Sequence, residues 1–174
     1  KGSQKRQPNI CPELFAVLSE VYKKESSPEQ IFYYIYAVLY SNTYRTRYAE
    51  FLKIDFPRIP FTKDYKLFGK MAEQGKRLVD LHLLKSTELD PPAAKLQGKG
   101  ENKVEKLKYN EKEKWVYFNQ SQYFEGLTKE IWEYKIGGYQ VCNKWRVNTE
   151  DEPLILGDIK HYCRIVTSLQ KTIK

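Results

Sequence analysis

The sequence has no run of apolar residues near the ~18 that a membrane-spanning helix requires. Its longest apolar stretch, Ile31 to Tyr40, is interrupted by tyrosines and suits a buried helix instead. The opening residues Lys1 to Arg6 are basic but lead into no apolar segment, so no secretory leader is expected. Cysteine is scarce. Cys11, Cys142 and Cys163 are odd in number and unpatterned in spacing, which predicts reduced thiols in a cytoplasm rather than a disulfide framework. Histidine is scarcer still: His82 and His161 lie far apart, and neither sits in a metal-spaced cluster. The paired glycines Gly137-Gly138 are followed by Tyr139 rather than by a phosphate-binding pattern. No nucleotide loop, metal cluster or internal repeat is visible, which argues against a stand-alone enzyme.

What the chain has in plenty is aromatic side chains and positive charge. Its 174 residues include 14 Tyr, 8 Phe and 3 Trp, with a formal net charge of +8. Tyrosine couples a flat apolar body to a polar tip and favours wet, adaptable contact surfaces. The charge favours a polyanionic partner. A length of this order buries one good-sized core, or one core with a small appended subdomain.

Helical periodicity dominates the first half. Pro12 opens a helix with Leu14, Phe15, Leu18 and Val21 on one side. Ser27-Pro28-Glu29-Gln30 caps a second, running to about Leu39 and apolar nearly all round. A third is expected from Asn42 to Ile54, ended by Phe56-Pro57-Arg58-Ile59-Pro60, whose prolines hold their predecessors extended. A fourth, Asp64 to Leu84, places Leu67, Met71, Gly75, Leu78 and His82 on one face. His82 there reads as a hydrogen-bonded core imidazole.

From about Glu88 to Asn102 the composition turns to Pro, Gly, Lys and Glu, the signature of a linker or mobile loop. Lys103 to Tyr109 and Lys114 to Asn119 read as strands, with Gln122-Tyr123-Phe124 as a short third. Thr128 caps a brief helix through Trp132, Gly137-Gly138 ends what precedes it, and Tyr139 to Val147 reads as another short helix. Asp158 opens a last helix with Ile159, Tyr162, Cys163, Val166, Leu169 and Ile173 inward and Lys160, Arg164 and Lys171 outward. The expected fold class is α+β and predominantly helical. A helical part spans 1–87, a linker 88–102, and a small antiparallel sheet with C-terminal helices 103–174.

Several segments carry chemistry suited to binding. Asn42-Thr43-Tyr44-Arg45-Thr46-Arg47-Tyr48 mixes cations, hydroxyls and aromatics, as surfaces that meet phosphates and stack on bases do; the alternative is a solvated helix face with Tyr44 and Tyr48 packed inward. Arg58, between two prolines, suits bidentate contact with phosphate or guanine, or a pairing with an acid such as Asp55. Lys144 and Arg146 flank Trp145, itself a core candidate. Asp90-Pro91-Pro92-Ala93 resembles the Asn/Asp/Ser-Pro-Pro-aromatic loop of amino-methyltransferases, but Ala93 replaces the aromatic that stacks on the flipped base. No cofactor-binding strand–glycine–helix precedes it.

Taken in order, further blocks carry a resemblance. Tyr34 to Ser41, then Tyr44-Arg45 and Tyr48, then Asp55 to Pro60 resemble the C-terminal specificity domain of type ISP restriction-modification enzymes and related adenine-specific DNA methyltransferases. So do Leu78 to Leu84, Ile136 to Gln140 with Lys144-Trp145, and Asp158-Ile159 with His161-Tyr162. The blocks extend over about residues 10 to 173. Relatives usually have a strongly basic, glycine-containing stretch after the tryptophan, whereas Val147 to Leu156 here contains Glu150, Asp151 and Glu152.

The resemblance implies a bacterial, cytoplasmic target-recognition domain that positions double-stranded DNA for a methyltransferase domain in the same polypeptide. S-adenosylmethionine would be the parent enzyme's cofactor, with no cofactor, catalytic residue or metal in this part. The expected DNA-binding residues are Asn42, Tyr44, Arg45, Arg47, Arg58, Lys63, Lys144 and Arg146. The competing reading is a protein-interaction or scaffold module docking on sister domains.

Overall fold

The computed structural model describes residues 7–145 and 153–173. The chain divides into two compact units, residues 1–79 and 80–174.

The first unit is helical. Helix α1 (Pro12–Tyr22) starts with proline at its first turn and ends where Lys23 adopts the left-handed conformation. Helix α2 (Pro28–Tyr40) carries a complete capping box: the Ser27 side chain accepts from the Gln30 amide, and the Gln30 side chain accepts from the Ser27 amide. The expected third helix is two short ones, α3 (Asn42–Arg47) and α4 (Phe51–Ile54). Ser41 caps α3 by accepting from the Tyr44 amide, while Tyr48 leaves helical geometry and separates the pair.

Helix α5 runs from Tyr65 to His82, with Asp64 Oδ1 accepting from the Lys66 and Leu67 amides at its start. Its inward face departs from the sequence expectation in the first turns, while Gly75 is inward as expected. Phe68, Ala72 and Gly75 are buried, while Leu67 is exposed. Likewise Tyr22 rather than Val21 completes the buried face of α1. The core gathers Leu18, Tyr22, Ile31, Tyr34, Val38, Tyr44, Phe68 and Ala72.

Gly75 is where α5 meets α2. A Cβ there would lie 1.8 Å from the Tyr33 carbonyl oxygen, so only a residue without one lets the backbones approach this closely.

The second unit is a four-stranded antiparallel sheet, in the order β1 (Lys95–Gln97), β4 (Tyr123–Glu125), β3 (Trp115–Tyr117), β2 (Lys108–Asn110), with helices around it. Leu96, Phe124, Val116 and Tyr109 are in register across the sheet. They form the face that packs into the core with Leu127, Ile131, Cys142, Tyr162, Val166 and Leu169. Strand alternation turns Trp115, Tyr117 and Tyr123 to the other face, where Trp115 and Tyr123 stack at 4.1 Å.

The segment 88–102 is not a linker. It contains a 3-10 turn, Thr87–Leu89, and the edge strand β1, and Leu89 and Ala94 are fully buried. Its glycines serve close contact: Gly98, at φ +88°, approaches the Ser121 carbonyl so nearly that a Cβ would sit 2.0 Å away. Asn102 then exchanges hydrogen bonds with the buried Gln122, at 2.9 and 2.7 Å, and donates to the Leu154 carbonyl. Composition read as loose chain is therefore fastened in place. Conversely, the expected strand over 103–109 is irregular as far as 107, apart from an isolated bridge of Lys103 to Pro153, and regular only where β2 begins.

Helix α6 (Lys129–Glu133) follows Thr128 as expected. Gly137-Gly138 turns a two-stranded hairpin, β5 (Lys135–Ile136) with β6 (Tyr139–Gln140), and the expected helix after it shortens to α7 (Val141–Lys144). The last helix, α8 (Leu156–Ile173), buries Tyr162, Cys163, Val166, Thr167, Ser168 and Leu169. Arg164 is half-buried rather than outward, donating to the Leu84 carbonyl and lying 3.6 Å from Asp90.

Candidate nucleic-acid interface

The Asp55–Pro60 segment runs along the first unit as an extended chain. Prolines at 57 and 60 remove two amide donors and hold Phe56 and Ile59 extended. Its carbonyls, and those just beyond, still need partners. Three buried tyrosines on successive helices supply them: Tyr44 of α3 donates to the Arg58 carbonyl at 2.8 Å, Tyr34 of α2 to that of Pro60 at 2.8 Å, and Tyr22 of α1 to that of Thr62 at 2.7 Å. Tyr34 also accepts from the Thr62 amide at 3.1 Å. Burial raises the Tyr22 and Tyr34 hydroxyls above their ordinary range, so they stay protonated donors at neutral pH. At the start of the loop, the Phe56 amide donates to Asp55 Oδ1. Ile59 and Phe61 pack on the core, and Phe61 stacks on Tyr34 at 5.1 Å.

This bracing leaves the outward side chains free. The Arg58 side chain is 94% exposed, and its ion-pair partner among the described residues, Asp55, is 3.9 Å away and itself 54% exposed. At that distance and exposure the pair holds the guanidinium only weakly. Beside it stand large apolar groups that the core does not take: Phe56 is 90% exposed, Ile54 82% and Phe51 67%. Phe51 and Phe56, together with Tyr48 and Ile59, border an open pocket of about 360 Å³.

The structure brings most of the sequence candidates of the first unit to one neighbourhood. Arg58 is tied through its carbonyl to Tyr44 of α3, the short helix that also carries Asn42, Arg45 and Arg47, all exposed. Arg47 lies over the Tyr48 ring at 5.8 Å. Lys63 is exposed just past the loop. Tyr44 departs from the sequence expectation: it is buried, with its ring tilted against that of Tyr48 at 4.9 Å, so it braces Arg58 and offers no ring for a base. Phe51, Ile54 and Phe56 were not singled out by the sequence, nor were Tyr22 and Tyr34 as braces. The available signal was a proline-held loop short of donors beside helices rich in tyrosine.

In the second unit, Lys144 is exposed with its ammonium 3.5 Å above the Tyr139 ring. Trp145 packs against Tyr162 at 4.6 Å. Arg146 and the acidic run Glu150 to Glu152 lie outside the described residues. Asp90-Pro91-Pro92-Ala93 is secured to α8, with the Ala93 amide donating to Thr167 Oγ1 at 2.9 Å beside the Asp90–Arg164 contact. His82 Nε2 is 2.8 Å from Thr172 Oγ1. The Thr172 hydroxyl gives its proton to the Ser168 carbonyl and so accepts from the imidazole, as expected of a core histidine.

No curated protein matches the chain. Among solved structures it is similar to a DrdV–DNA complex, with 24% identity and a TM-score of 0.72 over 95% of this chain and 19% of that one. It is similar to the ATP-dependent Type ISP restriction-modification enzyme LlaBIII bound to DNA, with 24% identity and a TM-score of 0.67 over 99% of this chain and 13% of that one. A third likeness is to a nuclease-deletion mutant of the Type ISP restriction-modification enzyme LlaGI in complex with a DNA substrate mimic, at 24% identity and a TM-score of 0.63, covering 87% of this chain and 14% of that one. These likenesses speak for the fold, and the chain spans a fifth or less of the length of each of those chains. Family membership rests on a separate match, to the Type ISP C-terminal specificity domain over residues 1–174. The chain belongs to the family of Type ISP C-terminal specificity domains.

Proposed function

We propose that this chain is the DNA target-recognition module of a restriction-modification or adenine-specific DNA methyltransferase polypeptide. It holds duplex DNA in register for a methyltransferase domain elsewhere in that polypeptide. Methyl transfer from S-adenosylmethionine belongs to that other domain, and this chain has no reaction centre of its own. The observation that carries the reading is Arg58: a nearly fully exposed guanidinium on a backbone already fixed by tyrosine hydroxyls. Ordering the backbone during folding removes an entropic cost from binding. A guanidinium so presented suits bidentate hydrogen bonding to a guanine edge or a phosphate. Arg45, Arg47 and Lys63, exposed nearby in the chain, supply sequence-independent attraction to phosphates.

The test is the salt dependence of duplex binding, read by fluorescence anisotropy with a mixed-sequence duplex. Three phosphate contacts predict a slope of log K against log salt of about −2.7, and a fourth from Arg58 about −3.6, at roughly 0.9 per contact. Replacing Arg45 and Arg47 by Ala is expected to reduce that slope by about 1.8. Binding independent of salt, or a double variant with the parent's slope, would overturn the proposal. Calorimetry is expected to show no saturable binding of S-adenosylmethionine.

A further inference from the structure

The DNA reading uses the cations of the loop and leaves its most exposed apolar side chain unexplained. Phe56 is 90% exposed, next to Ile54 at 82%. Exposed phenylalanine is costly in water, and single exposed apolar residues are common enough to need no explanation. Phe56 differs in how its backbone is held. The preceding Asp55 is extended, at φ −144° and ψ 166°, and its carboxylate accepts the Phe56 amide at 2.7 Å. Pro57 follows, and Tyr44 anchors the carbonyl of Arg58. The ring therefore stands on a backbone with little freedom left to lose, two residues from an outward guanidinium.

Three requirements of a side chain that enters a base stack are met here: an apolar ring, a stiff support, and a nearby cation for the backbone of the opened step. Of the occupants such an apolar patch accepts, a polyanion fits the surroundings best. Residues 42–63 carry Arg45, Arg47, Lys53, Arg58 and Lys63 against Glu50 and Asp55. A protein surface matched to the apolar groups alone gains nothing from that excess of positive charge.

We infer that Phe56 is a wedge that inserts between adjacent base pairs of the bound duplex and unstacks them while Arg58 holds the flanking backbone or base edge. The inference rests on the DNA reading proposed above. Its consequence is that the module deforms its target, so flexible pyrimidine–purine steps are favoured where the ring enters.

Unstacking lowers duplex twist, which gives a readout independent of the unknown target sequence. Closed circular plasmid is relaxed by a topoisomerase in the presence of saturating chain, then stripped of protein, and its topoisomers are resolved. The wild-type chain is expected to leave the plasmid underwound. Phe56→Ala is expected to abolish the shift, and Phe56→Trp, which restores a flat apolar ring, to retain it. Because apolar burial and unstacking largely offset each other, Phe56→Ala should change duplex affinity by less than about tenfold. An exposed site also predicts the same melting temperature for all three proteins. A wild-type chain that binds without shifting the topoisomers, or a Phe56→Ala chain that shifts them equally, overturns the wedge and leaves groove reading intact. The second result would assign the apolar patch to a protein surface. Failure of the wild-type chain to bind plasmid at any salt concentration overturns both readings.

Discussion

The two units differ in what their most deeply buried tyrosines do. In the first, the rings of Tyr22, Tyr34 and Tyr44 are buried and their hydroxyls emerge to hold the 58–62 backbone. In the second, Tyr162 is wholly buried between Phe124 and Trp145, at 4.5 and 4.6 Å. Its hydroxyl has no well-formed hydrogen bond and faces the Cys142 thiol. Burial drives that hydroxyl far above its ordinary range and the thiol up to about 12, so both stay neutral. Tyr22, Tyr34 and Tyr44 fix the shape of a surface, whereas Tyr162 fills a core. A single substitution type therefore has different consequences in the two places.

The largest effect is expected from emptying the second core. Tyr162→Ala should cost about 3–5 kcal/mol, by lost apolar burial and the cavity left behind, measured by urea denaturation. Tyr162→Phe should change stability by less than about 1 kcal/mol, since a poorly satisfied hydroxyl contributes little. Next is Gly75→Ala, expected to cost about 1–3 kcal/mol or more because the methyl group meets the Tyr33 backbone and α2 and α5 must separate. A neutral Gly75→Ala would mean that the first unit yields easily there. Tyr34→Phe should cost about 1–2 kcal/mol, since it strands the Pro60 carbonyl and the Thr62 amide. If Tyr34→Phe and Tyr162→Phe were equally harmless, the contrast between the units would fail.

A smaller effect concerns acid. Burial lowers the pKa of His82 below its ordinary value. The unfolded chain then takes up the proton first, near pH ~6.5, while the folded chain resists it. This contribution is present above that pH and is lost as pH falls toward the lowered folded value. The drop in denaturation midpoint between pH 7 and pH 5 is expected to be smaller for His82→Asn than for the wild type. An equal drop would place the acid sensitivity elsewhere.

The helical half was readable because its signals are local. Pro12, the Ser27–Gln30 box and the 57–60 prolines each fix a boundary through their own backbone chemistry. The rotation of the α1 and α5 faces was not readable, because which of two adjacent apolar residues turns inward depends on the neighbouring helix. Val21 and Tyr22 have similar claims until Tyr22 finds the Thr62 carbonyl. The 88–102 segment is ambiguous in sequence for a related reason: glycine in a flexible linker and glycine against a carbonyl look alike, and only the strand beside Gly98 separates them. The exposure of Arg58 was legible from its prolines. Tyr44 was not, because an aromatic among cations reads equally as a base platform or as a support.

The central claim is that the tyrosine brace acts through Arg58. A double-mutant cycle on duplex affinity tests it directly, with Tyr44→Phe and Arg58→Ala made singly and together. Arg58→Ala is expected to cost about 1–3 kcal/mol of DNA binding with an unchanged melting temperature, as an exposed ion pair contributes little to folding. Tyr44→Phe should weaken binding by about 0.5–1.5 kcal/mol, one hydrogen bond's worth of loop order, and should have no further effect once Arg58 is gone. Additive losses, or a Tyr44→Phe chain that binds as tightly as the parent, would contradict the account.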